Sequence, residues 1–478
     1  MPRRIFAAVF LAFIIVGLYQ RYKPLPEGLR VSGDPHVVAD ADVVFLADKT
    51  YMDERGVRTS EQQIFDAVIS AIDKAERYVL IDMFLFNDLL GTATSSYRGL
   101  SQELTDALIS AKQDHPDMAI QVITDPINQI YGGYVSPHIV QLRGAGISVV
   151  ETDLSKLRDS NPIFSGLWRL ALQWIPTGVP AYLPNVLDPS KEKLSLRPYL
   201  ATLNFKANHR KVLVADNAGR ELISIVSSAN PHDGSSAHSN SGVYIANDLI
   251  ALDIARSERA VAEFSKAKFI EPPAFEPKAI QGNATLYLYT EGLIKEKIVL
   301  FIDEMETGDS LDMSMFYLSD RHVVKALKRA DERGAKIRLL LDPNKDAFGR
   351  KKDGVPNRQV AHELLANSKG NTEVRWCDTH GEQCHSKLLI FSIAGVDRML
   401  LGSANLTRRN IHDLNLESNV LISGQNVTAI RNARAFFDEQ WQNKGGKRYS
   451  TEYEAYKNES GLKTLQYLVM EYFGTSSF

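Results

Sequence analysis

Residues 207–214 read ANHRKVLV, and residues 383–390 read QCHSKLLI. Each stretch sets a histidine two residues before a lysine, His209 before Lys211 and His385 before Lys387, and then runs into aliphatic residues. Side chains alternate across a β-strand, so each histidine and lysine share one face while Val212 and Val214 point to the other, into a core. One such pair is weak evidence, since 11 histidines give roughly half a match by chance. The second pair and its surroundings change the weight. The first is followed by SSAN, ending at Asn230, and the second, at nearly the same distance, by GSAN, ending at Asn405. The chain is therefore read as a tandem duplication.

Upstream segments repeat as well. Residues 62–88 read QQIFDAVISAIDKAERYVLIDMFLFND, an amphipathic helix with Ile64, Val68, Ile69 and Ile72 at helical spacing, then a strand. Residues 293–320, LIKEKIVLFIDEMETGDSLDMSMFYLSD, follow the same plan. Each is followed by another helix and strand, ending in QVITD at Asp125 and in LLLD at Asp342. Strands alternating with helices predict an α/β fold of two similar lobes, each a mixed β-sheet flanked by helices, with one active site between them. The expected divisions are residues 1–23 as an anchor, 24–275 as the first lobe and 276–478 as the second. The lobes should meet near EPPAFEPKAIQGN, residues 271–283. The first lobe is the longer, and its extra residues are placed at about 155–205, where Pro176, Pro180, Pro184, Pro189 and Pro198 interrupt regular structure.

Composition narrows the classes. The 478 residues are 44% hydrophobic and 24% charged, which rules out wholesale disorder. The formal charge of −3 shows no basic excess of the kind a nucleic-acid binder carries, although a local basic groove stays open. With only two cysteines, neither a disulfide scaffold nor a cysteine-rich zinc domain can form. Those two, Cys377 and Cys384, lie close enough in sequence to predict a disulfide ending immediately before His385. Such a bond persists in oxidising compartments.

The paired motifs resemble those of the phospholipase D superfamily, HxKxxxxD followed by GSxN in two copies. The resemblance runs from about residue 60 to 445. The first copy supplies His209, Lys211, Asp216, Ser228 and Asn230, with Ser227 where the family has glycine; the second supplies His385, Lys387, Ser403 and Asn405, with Ser392 at the aspartate position. The resemblance implies a phosphohistidine mechanism without cofactor or metal, with the lysines and asparagines holding phosphate oxygens and the two serines as further donors. The motif aspartate is implied to be supporting. That agrees with the chemistry of the residues: imidazole serves as nucleophile or acid near neutral pH, and ammonium and amide groups stabilise phosphoryl charge. After GSAN the chain reads DLNLESNV, with Glu417; the matching stretch HSNSGVYI has Asn240. By resemblance Glu417 orients His209, which makes His209 the nucleophile and His385 the acid and base.

Arg3 and Arg4 precede an uncharged run, Ile5 to Gln20, closed by Arg21 and Lys23. The run is short for a membrane span, which takes about 17–25 residues. It reads as an uncleaved signal anchor that exports the body; a cleaved signal peptide and a buried core helix are the other readings. Residues 161–175, NPIFSGLWRLALQWI, carry Trp168 and Trp174 and read either as a lipid-contacting segment or as a packing helix. His232, Asp233 and His238 are candidates for a headgroup pocket, and Arg408 and Arg409 for a second phosphate. No metal-ligand cluster stands out. The C-terminal LKTLQYLVMEYF reads as an amphipathic helix packed on the body. The expected function is phosphodiester hydrolysis or phosphatidyl transfer on membrane phospholipids, of phospholipase D or cardiolipin synthase type. The alternatives are a nuclease of the same superfamily, acting on DNA or RNA, and an inactive membrane scaffold.

Overall fold

In the computed structural model, residues 2–92, 97–176, 180–275, 282–347 and 350–475 are described. The first repeat forms a helix at Ile64–Lys74 and a strand at Tyr78–Met83; the second forms Gly292–Glu304 and Ser310–Met315. The predicted apolar stripe does the packing: Ile64, Val68 and Ile72 are buried with Phe65. Burying each such side chain contributes about 1.5–3 kcal/mol.

The first sheet runs Arg58–Glu61, Val43–Met52, Asn240–Ile245, Leu222–Ser227, Lys211–Asp216, Tyr78–Met83, Ala119–Thr124, Ser148–Glu151. The second runs His36–Val38, Ala284–Thr290, Ser418–Gly424, Val396–Gly402, Lys387–Ile393, Ser310–Met315, Lys336–Leu341, Thr372–Cys377, Ser450–Glu452. Without the edge strands, the two have the same order and the same directions: antiparallel up to the motif strand and its neighbour, then parallel. The sheets face each other across a common core, in which Val212, Val214 and Val226 of one meet Leu388, Ile390 and Leu401 of the other. The opposite face of the motif strand, Leu213 and Ala215, packs with the helices. Stacking duplicated sheets in this way brings the equivalent ends of the two motif strands together.

One detail departs from the sequence reading. The strand His36–Val38 lies within residues 24–275 but pairs with Ala284–Thr290, completing the second sheet. An open edge offers unpaired amides and carbonyls, and a neighbouring strand satisfies them whichever lobe it precedes. The predicted boundary at 271–283 overlaps residues 276–281, which lie outside the described residues. The N-terminal helix Pro2–Tyr22 is not a core helix: Arg3–Tyr22 is long and apolar enough to cross a membrane, and only 6% of its apolar window is buried. The lobes differ in the connection before the motif strand, residues 152–210 in the first against 378–386 in the second.

Candidate active site

Each motif histidine precedes its strand and is held by the other lobe. The His209 amide donates to the Leu416 carbonyl at 2.9 Å, and the Leu416 amide donates to Ala207 at 3.0 Å. In the same way the His385 amide donates to Ser239 at 2.7 Å, and Ser239 donates to Gln383 at 3.0 Å. These reciprocal bonds set both imidazoles on one pocket, also lined by Asn230, Asn405, His238 and Arg409.

The residues behind the histidines are also related by the repeat. His209 Nδ1 lies 3.0 Å from the Glu417 carboxylate. Burial by itself would raise the Glu417 carboxyl, but the His209 ring and Lys211 outweigh it and hold the group below its ordinary value. The carboxylate therefore accepts, Nδ1 carries the proton, and Nε2 keeps a free lone pair. His385 Nδ1 lies 3.1 Å from Asn240 Oδ1. The Asn240 amide is oriented by its Nδ2, which donates to Asp48 at 3.2 Å and to the His238 carbonyl at 3.1 Å. So one histidine is backed by a charge and the other by a neutral amide.

Lys211 and Lys387 are buried, and each donates to the carbonyl of its own histidine, at 2.6 and 2.7 Å. Burial pushes Lys211 down to about 7 and Lys387 well below its ordinary value, with Lys211 adding to the latter. His209 is pushed down to about 4 by burial, against the opposing pull of Glu417, and His385 falls in the same direction through burial and then Lys387. The two histidines on the pocket and the two lysines bonded to their carbonyls are thus all held below their ordinary values. An anion there reverses these costs.

Ser228 and Ser403 are engaged behind the histidines: a hydroxyl has one hydrogen, and here Ser228 gives it to Asn240 while Ser403 gives it to Glu417. Each also accepts a backbone amide, from Ser241 at 3.1 Å and Ser418 at 3.0 Å. They brace the residues that orient the histidines. Asp216 lies at the far end of its strand and accepts the amides of Glu76, Arg77, Tyr78 and Gly219, so it positions the strand and does not enter the pocket. In the second lobe, Ser392 bonds Asp397 and Arg434 instead.

Of the weaker candidates, His238 lines the pocket with its ring 5.7 Å from that of His385, whereas His232 bonds the Leu89 carbonyl at 2.6 Å and Asp233 holds Ser101. Arg409 lines the pocket; Arg408 donates to the Ser160 carbonyl at 3.0 Å. Away from the pocket, the fold gathers a ligand-type cluster not apparent in sequence, Asp320, His322 and His412. Asp320 is already engaged there, capping its helix through the His322 and Val323 amides and accepting His412 Nε2 at 2.7 Å.

Two further pairs take equivalent places in the two lobes. Phe84 and Phe316 pack on the histidines, ring centroids 4.8 and 5.0 Å apart, and on the lysines, each 5.2 Å from the ring. Asp125 and Asp342 accept the amides of Asn208 and Cys384, the residues before the histidines, at 2.7 and 2.8 Å. Their signal was present, since both pairs occupy equivalent positions of the repeated segments.

The family described as "Cardiolipin synthase, PLD-like domain" matches residues 301–441. The crystal structure of phosphatidylserine synthase from Haemophilus influenzae Rd KW20 is similar over 92% of this chain and 94% of its own, with a TM-score of 0.53 and 11% identity. The polyphosphate kinase of Porphyromonas gingivalis is similar over 96% of this chain and 56% of its own, with a TM-score of 0.47 and 14% identity. The phospholipase D family member Nuc from Salmonella typhimurium covers 35% of this chain and 97% of its own, with a TM-score of 0.28 and 17% identity. Only the first of the three bears on the fold, and at that identity it bears on nothing else. No curated protein matches by sequence. Residues 301–441 of the second lobe thus match a phospholipase D-like domain, and the first lobe repeats its sheet order and its histidine, lysine and asparagine set.

Proposed function

We propose that the protein transfers a phosphatidyl group of a membrane phospholipid to water or to an alcohol through a phosphohistidine. The observation that carries this reading is the unequal backing of two histidines on one pocket, Glu417 behind His209 and Asn240 behind His385. His209 Nε2 attacks phosphorus as the phosphorus–oxygen bond to the leaving alcohol breaks, and protonated His385 gives that oxygen its proton. His385 then takes the proton of the incoming hydroxyl, whose oxygen displaces His209. Glu417 stabilises the charge that His209 acquires. Lys211, Lys387, Asn230 and Asn405 hold the phosphoryl oxygens; Asn230 turns its Oδ1 to the Leu85 amide, leaving its Nδ2 hydrogens for the ligand.

The N-terminal helix supports a lipid substrate, and the insertion helix beside it is proposed to contact the bilayer. The Cys377–Cys384 bond supports an exported catalytic body. The test is product analysis by mass spectrometry. The full chain, in liposomes of phosphatidylglycerol and phosphatidylethanolamine, should release phosphatidic acid or, with added glycerol-bearing acceptor, form a new phosphodiester. Cleavage of nucleic acid with lipid untouched would overturn the reading in favour of a nuclease.

A further inference from the structure

The C-terminal helix Gly461–Phe473 is largely inverted relative to a surface helix in water: it buries Tyr467 and Glu471 and packs Tyr467 and Met470 on the second lobe's core, but turns most of its apolar side chains outward. The Tyr467 hydroxyl lies with Arg321 and Glu363, and Glu471 accepts the Arg408 amide at 2.6 Å. The face turned outward holds Leu462, Leu465, Val469 and Tyr472, with Leu462 78% and Tyr472 70% exposed. These positions recur at helical spacing and form one apolar stripe. A helix packing on a body in water does the opposite.

The insertion helix Pro162–Leu170 shares the inversion. It buries Ser165 and Gly166, and Arg169 turns back to pair with Asp159. Ile163, Leu167 and Leu170 face outward, as does Trp174 beyond it, 74% exposed. The N-terminal helix lies alongside in antiparallel register: a Cβ on Gly17 would meet the Pro162 carbonyl oxygen at 2.3 Å, and one on Gly166 would meet that of Phe13 at 2.6 Å. The C-terminal helix ends at the same junction. Gly474 adopts a φ of +68° against the Ser160 carbonyl, and Ser160 immediately precedes the cap of the insertion helix.

We propose that the C-terminal helix is a second membrane contact, laying Leu462, Leu465, Val469 and Tyr472 on the bilayer that holds the N-terminal and insertion helices. This rests on the membrane reading above. Continuity argues for a bilayer over a protein partner. The C-terminal helix ends against Ser160, next to the cap of the insertion helix, and the insertion helix lies along a helix of spanning length whose apolar surface is almost wholly uncovered, so a bilayer that holds those two reaches the third. Beside the stripe, Leu468 and Phe473 line a groove that Arg408, His412, Asp320 and Glu471 share.

The test uses the full chain in phosphatidylethanolamine and phosphatidylglycerol liposomes, with a nitroxide at Leu465→Cys, Leu167→Cys or Arg55→Cys in separate samples. Collision with oxygen, which partitions into lipid, is compared with collision with a water-soluble nickel chelate. The Leu465 and Leu167 labels should favour oxygen several-fold, and the label at Arg55, a residue 83% exposed on the body, should favour nickel. A Leu465 label in water beside a Leu167 label in lipid overturns this proposal alone. Both labels in water overturn the membrane reading with it. Spin–spin broadening at Leu465 that survives lipid dilution would mean that a second copy covers the helix, which also overturns it.

Discussion

Asn208 and Thr152 meet in the first lobe where Cys384 and Cys377 are bonded in the second. Asn208 Nδ2 donates to Thr152 Oγ1 at 3.0 Å, and the cysteine Cα atoms lie 6.1 Å apart. Strand register makes the positions equivalent, since Glu151 pairs with Thr124 as Trp376 pairs with Leu341. Both junctions tie the residue before a reactive histidine to the end of the third parallel strand.

The covalent junction restrains a short loop. Cys377→Ser with Cys384→Ser should lower stability by somewhat under about 3 kcal/mol, read as a lower melting temperature. Activity at low temperature should persist, because Asp342 still accepts the amide of residue 384. An unchanged melting temperature would show that the bond restrains nothing the fold does not already hold.

The two histidines should fail in different ways. His209→Ala should abolish turnover and any phosphoenzyme. His385→Ala should lose about 10²–10⁴-fold in turnover, yet still trap label on His209 from a substrate whose leaving group needs no proton. Label recovered on His385 instead would reverse the two roles.

Burial holds His209 at about 4 and His385 well below 6.5, both under the ordinary histidine value of 6.5 that the unfolded chain regains. The unfolded chain therefore binds more protons as pH falls. The His209 share of stability is fully present above pH 6.5 and is lost as the pH falls through about 4, and the His385 share is lost in the same direction. A bound anion raises both histidines and should oppose this loss. Sulfate, whose charge is the same at about pH 5 and about pH 8, should raise the melting temperature more at the lower pH. Equal increments at both would argue against an anion between the histidines.

Arg210, between His209 and Lys211, is fully buried and bridges the lobes, donating to Glu258 at 3.0 Å and to Glu291 at 2.7 Å. Arg210→Met leaves two buried carboxylates without their cation and should cost about 3–5 kcal/mol, measured by denaturant unfolding. The Glu417 amide also bonds Glu291, at 3.3 Å, so activity should fall before the protein unfolds. A variant as stable and as active as the parent would show that the packed sheets hold the lobes without this ion pair.

The repeat explains what sequence alone determined. A duplicated fold leaves the same residues at the same strand positions twice. Two lobes, the motif strands, both histidines with their lysines and asparagines, and the disulfide pair could all be read without coordinates, because each is local or periodic. Tertiary structure decided what depends on residues far apart in the chain. It sent the hydroxyls of Ser228 and Ser403 to Asn240 and Glu417, moved His36–Val38 onto the other sheet, and set Arg210 between two glutamates. It also decided which way the apolar stripes of the insertion and C-terminal helices face. Periodicity reveals that a helix has an apolar side, but only packing decides whether that side meets the core or the outside, because a buried polar side is tolerated wherever the fold supplies its partners, as it does for Tyr467 and Glu471.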